Sequence, residues 1–200
     1  MTAIITGDII NSRNIDATLW VQALKDVFLK YQIEKSDWQI YRGDSFQVLI
    51  EAEIVLELIF EIKAVIKSIK SIDVRMGIGL GTISFRSTSI MESNGTAFVH
   101  SGECFDTLKK HTIAIKSGND SFDDIFNTIF QLVTFFADEW SVKTAQIVHN
   151  AVVNPLAKQE ELAKQLNIKS QSSISAALKR GGFFEIKNVI NLYKKELKNL

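Results

Sequence analysis

Apolar and polar positions along the chain change period several times, and each change predicts an element. Residues 3–6, "AIIT", form a short apolar run ended by Gly7, which predicts a strand buried on both faces. From Asp16 the period becomes helical, with Leu19, Ala23, Leu24, Val27, Phe28 and Tyr31 on one face and Asp16 as the N-cap. "DWQIYR" and "SFQVLIE" predict two strands around a tight turn at Gly43-Asp44. A second amphipathic helix follows, carrying Ile54, Val55, Leu58, Ile59, Ile62, Val65, Ile66 and Ile69. In "DVRMGIGLGTISF", Val74, Met76, Ile78 and Leu80 alternate with Arg75, Gly77, Gly79 and Gly81. That pattern predicts a strand whose glycine face lets something pack unusually close.

"GTAFVHSGECFDTLKK" reads as a third helix and "TIAIKS" as a last short strand. The remainder is helical, over roughly 122–140, 141–153, 158–166, 170–180 and 185–197. The order predicts an α+β fold: a ferredoxin-like βαββαβ antiparallel sheet with helices on one face, followed by an all-α part. The expected division is 1–120 for the α+β domain, 121–154 for connecting helices and 155–200 for a C-terminal domain, with Pro155 at the boundary.

Composition narrows the class only a little. Hydrophobic residues at 46% and charged ones at 23% are ordinary for a globular protein, and no apolar run is long enough to span a bilayer. Together with the absence of a secretory signal and a single cysteine, Cys104, this leads to the expectation of a cytoplasmic protein without membrane contact. His100, His111 and His149 have no metal-ligand spacing with that cysteine. The net charge of zero hides an asymmetry. Of 23 Lys/Arg and 23 Asp/Glu, nine and four fall between Pro155 and Leu200, leaving 14 and 19 before them. A basic tail on an acidic body fits a polyanionic partner such as DNA, and fits equally a helical domain with a lysine-rich solvated face.

Two Gly-Asp pairs, in "ITGDIINSR" and "IYRGDSFQ", carry candidate chemistry. With the first and third strands adjacent and antiparallel, Asp8 and Asp44 share one sheet edge, close enough to hold a common hard cation. The alternative is a pair of ordinary turn residues. In the tail, "EELAKQLNIKSQSSISAALKRGGF" reads as a helix-turn-helix. Leu162, Ala163 and Leu166 give its first helix a buried face, Asn167 reverses the chain and Ile168 plugs the turn. Ser170 caps a second helix with Ile174, Ala177 and Leu178 inside. Its candidate DNA-binding residues are Ser170, Gln171, Ser172, Ser175, Lys179 and Arg180. The other reading of this segment is a helical bundle for dimerisation. The apolar "FNTIFQLVTFFADEW" helix fits core, interdomain cover or a homodimer face equally.

"ITGDIINSR", "IYRGDSFQ", "VRMGIGLGTI" and "ESNGTAFVHSGECFDTLKK", in this order before a helical tail, resemble the SatD family of bacterial proteins. The N-terminal motifs are also similar to class III nucleotidyl cyclases and, more distantly, to GGDEF diguanylate cyclases. That resemblance implies Mg²⁺ or Mn²⁺ held by Asp8, Asp44 and the Ile9 carbonyl. It implies nucleotide phosphates over Asn11, Ser12 and Arg13, beside Arg42 and Gly43. At the positions where cyclases carry a ribose-binding Asn and a charge-stabilising Arg, this chain has Val99 and Glu103. Loss of such an arginine costs orders of magnitude in rate. The expectation is therefore a regulatory protein with a degenerate, nucleotide- or metal-sensing domain coupled to a DNA-binding one. The alternatives are a Mg²⁺-dependent cyclase or nucleotidyltransferase using Asp8 and Asp44, and a protein–protein module with neither ligand.

Overall fold

A computed structural model describes all residues from Met1 to Leu200. The elements are, in order, β1 (Thr2–Ile10), α1 (Ala17–Lys30), β2 (Trp38–Tyr41), β3 (Ser45–Glu51), α2 (Val55–Lys67), β4 (Asp73–Gly81), α3 (Thr96–Thr107) and β5 (Ile113–Lys116). Five helices follow: α4 (Asp120–Ala137), α5 (Val142–Val153), α6 (Gln159–Gln165), α7 (Gln171–Arg180) and α8 (Phe183–Glu196). The fold is α+β. Its five strands form one sheet in the order β2-β3-β1-β4-β5. β1 lies between β3 and β4 and runs antiparallel to both.

The sheet is mixed rather than antiparallel throughout, because β5 pairs parallel to β4. Parallel neighbours need a crossover, and α3 supplies it. That crossover also corrects the expectation of helices on one face. Val74, Met76, Ile78 and Leu80 point into the main core with α1 and α2, whereas α3 lies on the opposite face, directly over the glycines. A Cβ on Gly77 would come within 2.6 Å of the Phe105 amide nitrogen. One on Gly79 would fall on the Ala97 carbonyl and the Ser101 amide. Thr6 of β1 and Ser101 of α3 then close a buried hydroxyl pair at 3.0 Å.

Gly7 does not end β1. The strand runs on to Ile10, and Gly7 is a close-packing position inside it, where a Cβ would meet Phe46 Cζ at 2.5 Å and the Arg75 carbonyl at 2.8 Å. On α1 the buried arc is turned one residue from the expected one: Trp20 is enclosed and Leu19 is exposed. On α8, Phe183 enters the core while Phe184 and Leu192 stay out. The caps fall where expected, with Asp16 accepting from the Thr18 amide at 2.9 Å and Ser170 from the Ser173 amide at 3.3 Å.

α2 is covered on both sides, by the sheet and by the C-terminal helices, and a single core cluster runs from Ala3 to Tyr193. Two charged residues of α2 are buried with the apolar ones. Lys63, fully enclosed, donates to Asp73 at 2.7 Å, to Asp138 at 2.5 Å and to Thr112 at 3.2 Å. Glu61, 1% exposed, accepts from Lys30 at 2.6 Å and from the Tyr31 hydroxyl at 3.1 Å, with His149 Nε2 at 3.8 Å.

The glycine face gives a direct test. Gly79→Ala places a methyl group on α3 backbone that cannot move away, so chemical denaturation should show a loss of about 2–3 kcal/mol. Gly102→Ala, in α3 with open space around the added carbon, should be neutral or gain roughly 0.5–1 kcal/mol.

Candidate functional site

Register alone brings Asp8 and Asp44 to one end of the sheet. Asp8 pairs with Ser45 of β3, and the Ile9 amide donates to the Asp44 carbonyl at 3.0 Å. The hairpin that presents Asp44 turns through Arg42 and Gly43, both at positive φ (52° and 90°), the second of which glycine adopts without a side-chain penalty. On the other side of β1, Asp8 lies opposite Arg75 of β4.

The sequence reading did not find Arg75 as a partner of the aspartates. Its Nε donates to Asp8 Oδ1 at 3.0 Å and its Nη2 to Asp8 Oδ2 at 2.5 Å, a two-pronged ion pair. The guanidinium also lies 5.7 Å from the centre of the Phe105 ring on α3. The hydrogen-bonded carboxylate of Asp8, and then the fields of Asp8 and Asp44, hold the Arg75 pKa above its ordinary value. Asp44 is engaged separately, its Oδ2 accepting from the Ser12 hydroxyl at 2.8 Å.

This arrangement does not fit the two-carboxylate cation site that the cyclase resemblance implies. Both oxygens of Asp8 are occupied by Arg75, one oxygen of Asp44 by Ser12, and no cluster of three His, Cys, Asp or Glu side chains is present to complete a shell. The positive charge that neutralises Asp8 is already covalently part of the chain. Ile9 contributes a side chain buried in the core.

The remaining expected residues lie around this cluster without joining it. Asn11 is exposed in the left-handed region at the start of a 3₁₀ turn, and Arg13 is exposed beside it. Arg42 extends near its neighbour Tyr41, 5.9 Å from the ring centre, and Gly43 is at the exposed hairpin tip. Val99 is half exposed, and Glu103 forms an ion pair with Lys116 of the edge strand β5 at 2.6 Å. Cys104 is buried, and desolvation pushes its thiol pKa up to about 12, which makes it an inert apolar filler.

The tail presents a second candidate surface. Asn167 reverses the chain between α6 and α7 at φ 50°, and Ser170 caps α7. Ile174, Ala177 and Leu178 of α7 are buried, while Gln171, Ser172, Lys179 and Arg180 are exposed and Ser175 is half-buried. Gln171 reaches Gln159 of α6 at 2.6 Å. The groove beside α7 is lined in part by Lys143, Thr144, Ser172 and Arg180.

If Arg75 neutralises the aspartate pair, Arg75→Met should destabilise the fold by about 1–2 kcal/mol, a partly exposed pair being screened by solvent. Mn²⁺ should then raise the melting temperature of this variant more than that of the unmodified chain. Equal response of the two proteins to Mn²⁺ would contradict the assignment.

Neither a curated protein nor a solved structure matches the chain. A family model described as the SatD family matches residues 2–193, which takes in the sheet, α1 to α7 and most of α8. By that match over nearly its whole length, the chain belongs to the SatD family.

Proposed function

We propose that this SatD-family chain is a cytoplasmic regulatory protein in which a degenerate cyclase-like domain senses a nucleotide and α6–α7 bind DNA as a helix-turn-helix. The division proposed is 1–120, 121–154 and 155–200. The observation that carries the reading is the outer face of α7. Its inward residues are all apolar and its outward ones, Gln171, Ser172, Lys179 and Arg180, are the types that meet base edges and phosphates. The positive-φ reversal at Asn167 and the polar groove with Lys143 beside α7 support the same assignment.

For the N-terminal part, the strand order β2-β3-β1-β4, antiparallel at each step, supports the ferredoxin-like, cyclase-like reading. The Asn11, Ser12 and Arg13 turn beside Arg42 and Gly43 remains the proposed nucleotide contact. Arg75 on Asp8, with Val99 and Glu103 turned to solvent and to Lys116, favours sensing over the metal-dependent cyclase or nucleotidyltransferase alternative.

A second copy of the chain is the proposed partner of α4. Ile125, Leu132 and Phe135 lie along one side of that helix, 51%, 68% and 84% exposed, and two copies are what a two-half-site operator requires. No helix of the chain is long and apolar enough to cross a membrane.

Fluorescence anisotropy with duplex DNA should show binding that weakens steeply with salt. Lys179→Ala together with Arg180→Ala should lower the logarithmic salt slope by roughly two, one for each phosphate contact removed. No binding at low salt would sink the DNA assignment. By light scattering the unmodified chain should be a dimer and Phe135→Glu a folded monomer. A monomeric unmodified chain would remove the α4 interface.

A further inference from the structure

Of the buried side-chain polar atoms, only two lack a hydrogen-bond partner: Trp20 Nε1 and Glu57 Oε2. The second lies at a cavity. Glu57, on α2, lines a hollow of about 260 Å³ between α2, α5 and α8, walled by Phe60, Val152, Phe183, Ile186 and Ile190. Lys187 and Lys194 of α8 lie on the same wall. Lys194 forms an ion pair with Glu57 through Oε1, which leaves Oε2 out of water and unpartnered. Lys187 has no carboxylate partner and sits 5.7 Å from the Phe183 ring centre. Tyr31, also on the rim, donates a hydrogen bond to Glu61, and burial together with that carboxylate raises its pKa and keeps the phenol neutral.

An orphaned buried acceptor costs free energy until a donor meets it, and an apolar cavity recovers free energy when apolar surface replaces water. The free groups are thus one carboxylate oxygen on α2 that needs a donor and one ammonium on α8 that needs an acceptor, on residues that line the same apolar space. We infer that this cavity binds a small zwitterion with an apolar body, the chemistry of an apolar α-amino acid. Its ammonium donates to Glu57 Oε2, its carboxylate accepts from Lys187, and its side chain lies among Phe60, Val152 and Ile190. The volume holds roughly ten non-hydrogen atoms, the size of leucine or phenylalanine.

The place of the cavity gives binding a consequence. α8 forms one wall and joins α7 through Gly181-Gly182, so a ligand that fixes α8 against α2 also fixes α7. This coupling to DNA rests on the reading of α7 proposed above; the cavity itself does not.

Isothermal titration calorimetry on the full chain with L-leucine and L-phenylalanine tests the site. Saturable binding is expected. Phenethylamine, which lacks the carboxylate, and 3-phenylpropanoate, which lacks the ammonium, should each bind roughly tenfold or more weakly. Glu57→Gln and Lys187→Met should weaken the amino acids by a similar factor, and Val152→Phe, which fills the space, should abolish binding. Lys187 is exposed and outside the core, so its substitution keeps the test valid if Glu57→Gln disturbs α8. Absence of saturable binding by either amino acid, or binding unchanged in Lys187→Met and Val152→Phe, would overturn the assignment. DNA affinity, measured without amino acid on the same protein, separates the two ideas. Its loss with calorimetric binding intact would remove the role of α7 and leave the cavity.

Discussion

Lys63 is the constraint from which much of this architecture follows. A lysine ammonium with no exposure is strongly unfavourable unless its charge is compensated at short range and its hydrogen bonds are made. Compensation comes from three separate places: Asp73 at the start of β4, Thr112 just before β5, and Asp138 at the turn leaving α4. Thr112 donates in turn to Asp138 at 2.7 Å, and Lys67 donates to the Asp138 carbonyl at 2.5 Å. The α4–α5 turn therefore has to close over α2 at this point. Glu61, two residues earlier and so on a different side of α2, makes the matching demand toward α1 and α5 through Lys30, Tyr31 and His149. Burial depresses the His149 pKa, which favours the neutral ring beside Glu61. Two buried charges of opposite sign thus define where the C-terminal helices sit on the sheet layer.

On the far face of the sheet the constraint is steric. Side-chain-free positions at Gly77, Gly79 and Gly81 bring α3 onto the backbone of β4. That close approach puts Phe105 near Arg75, whose guanidinium is then held between the ring and Asp8. Gly7 does similar work within β1, where the absence of a Cβ leaves room for the Phe46 ring and the Arg75 carbonyl next to Asp8, which pairs with Arg75 across the strands. The chemistry at this sheet edge is thus set by four missing side chains.

Periodicity and caps carried most of the element reading, because both act over a few residues. The glycine alternation in β4 announced a close neighbour, and Asn167 and Ser170 announced the α6–α7 turn from their own conformational preferences. The errors have local causes as well. Leu19 and Trp20, or Phe183 and Phe184, are adjacent apolar residues at the edge of a helical arc, and only tertiary packing decides which one is buried. Lys63 and Glu61 were invisible within an apolar helix, since nothing near them in sequence says that partners 10 and 75 residues on, or 31 residues back, will meet them. Arg75 was missed for the same reason: its pairing with Asp8 is a property of register across 67 residues. Glu57 is the extreme case, its environment being assembled by α2, α5 and α8 together.

The buried hydroxyl of Tyr193 donates to the carbonyl of Ala52 at 2.9 Å, across 141 residues, and its ring packs edge-on against Phe126 at 5.5 Å. Contacts of that sequence separation close late, because the loop between them must be ordered first. During synthesis, α2 would emerge with one face ready for the sheet and the other still waiting for a helix not yet made. The apolar outer face of α2 then stays uncovered until the helix carrying Tyr193 has been made, and uncovered apolar surface of that kind is where a nascent chain is open to misassembly.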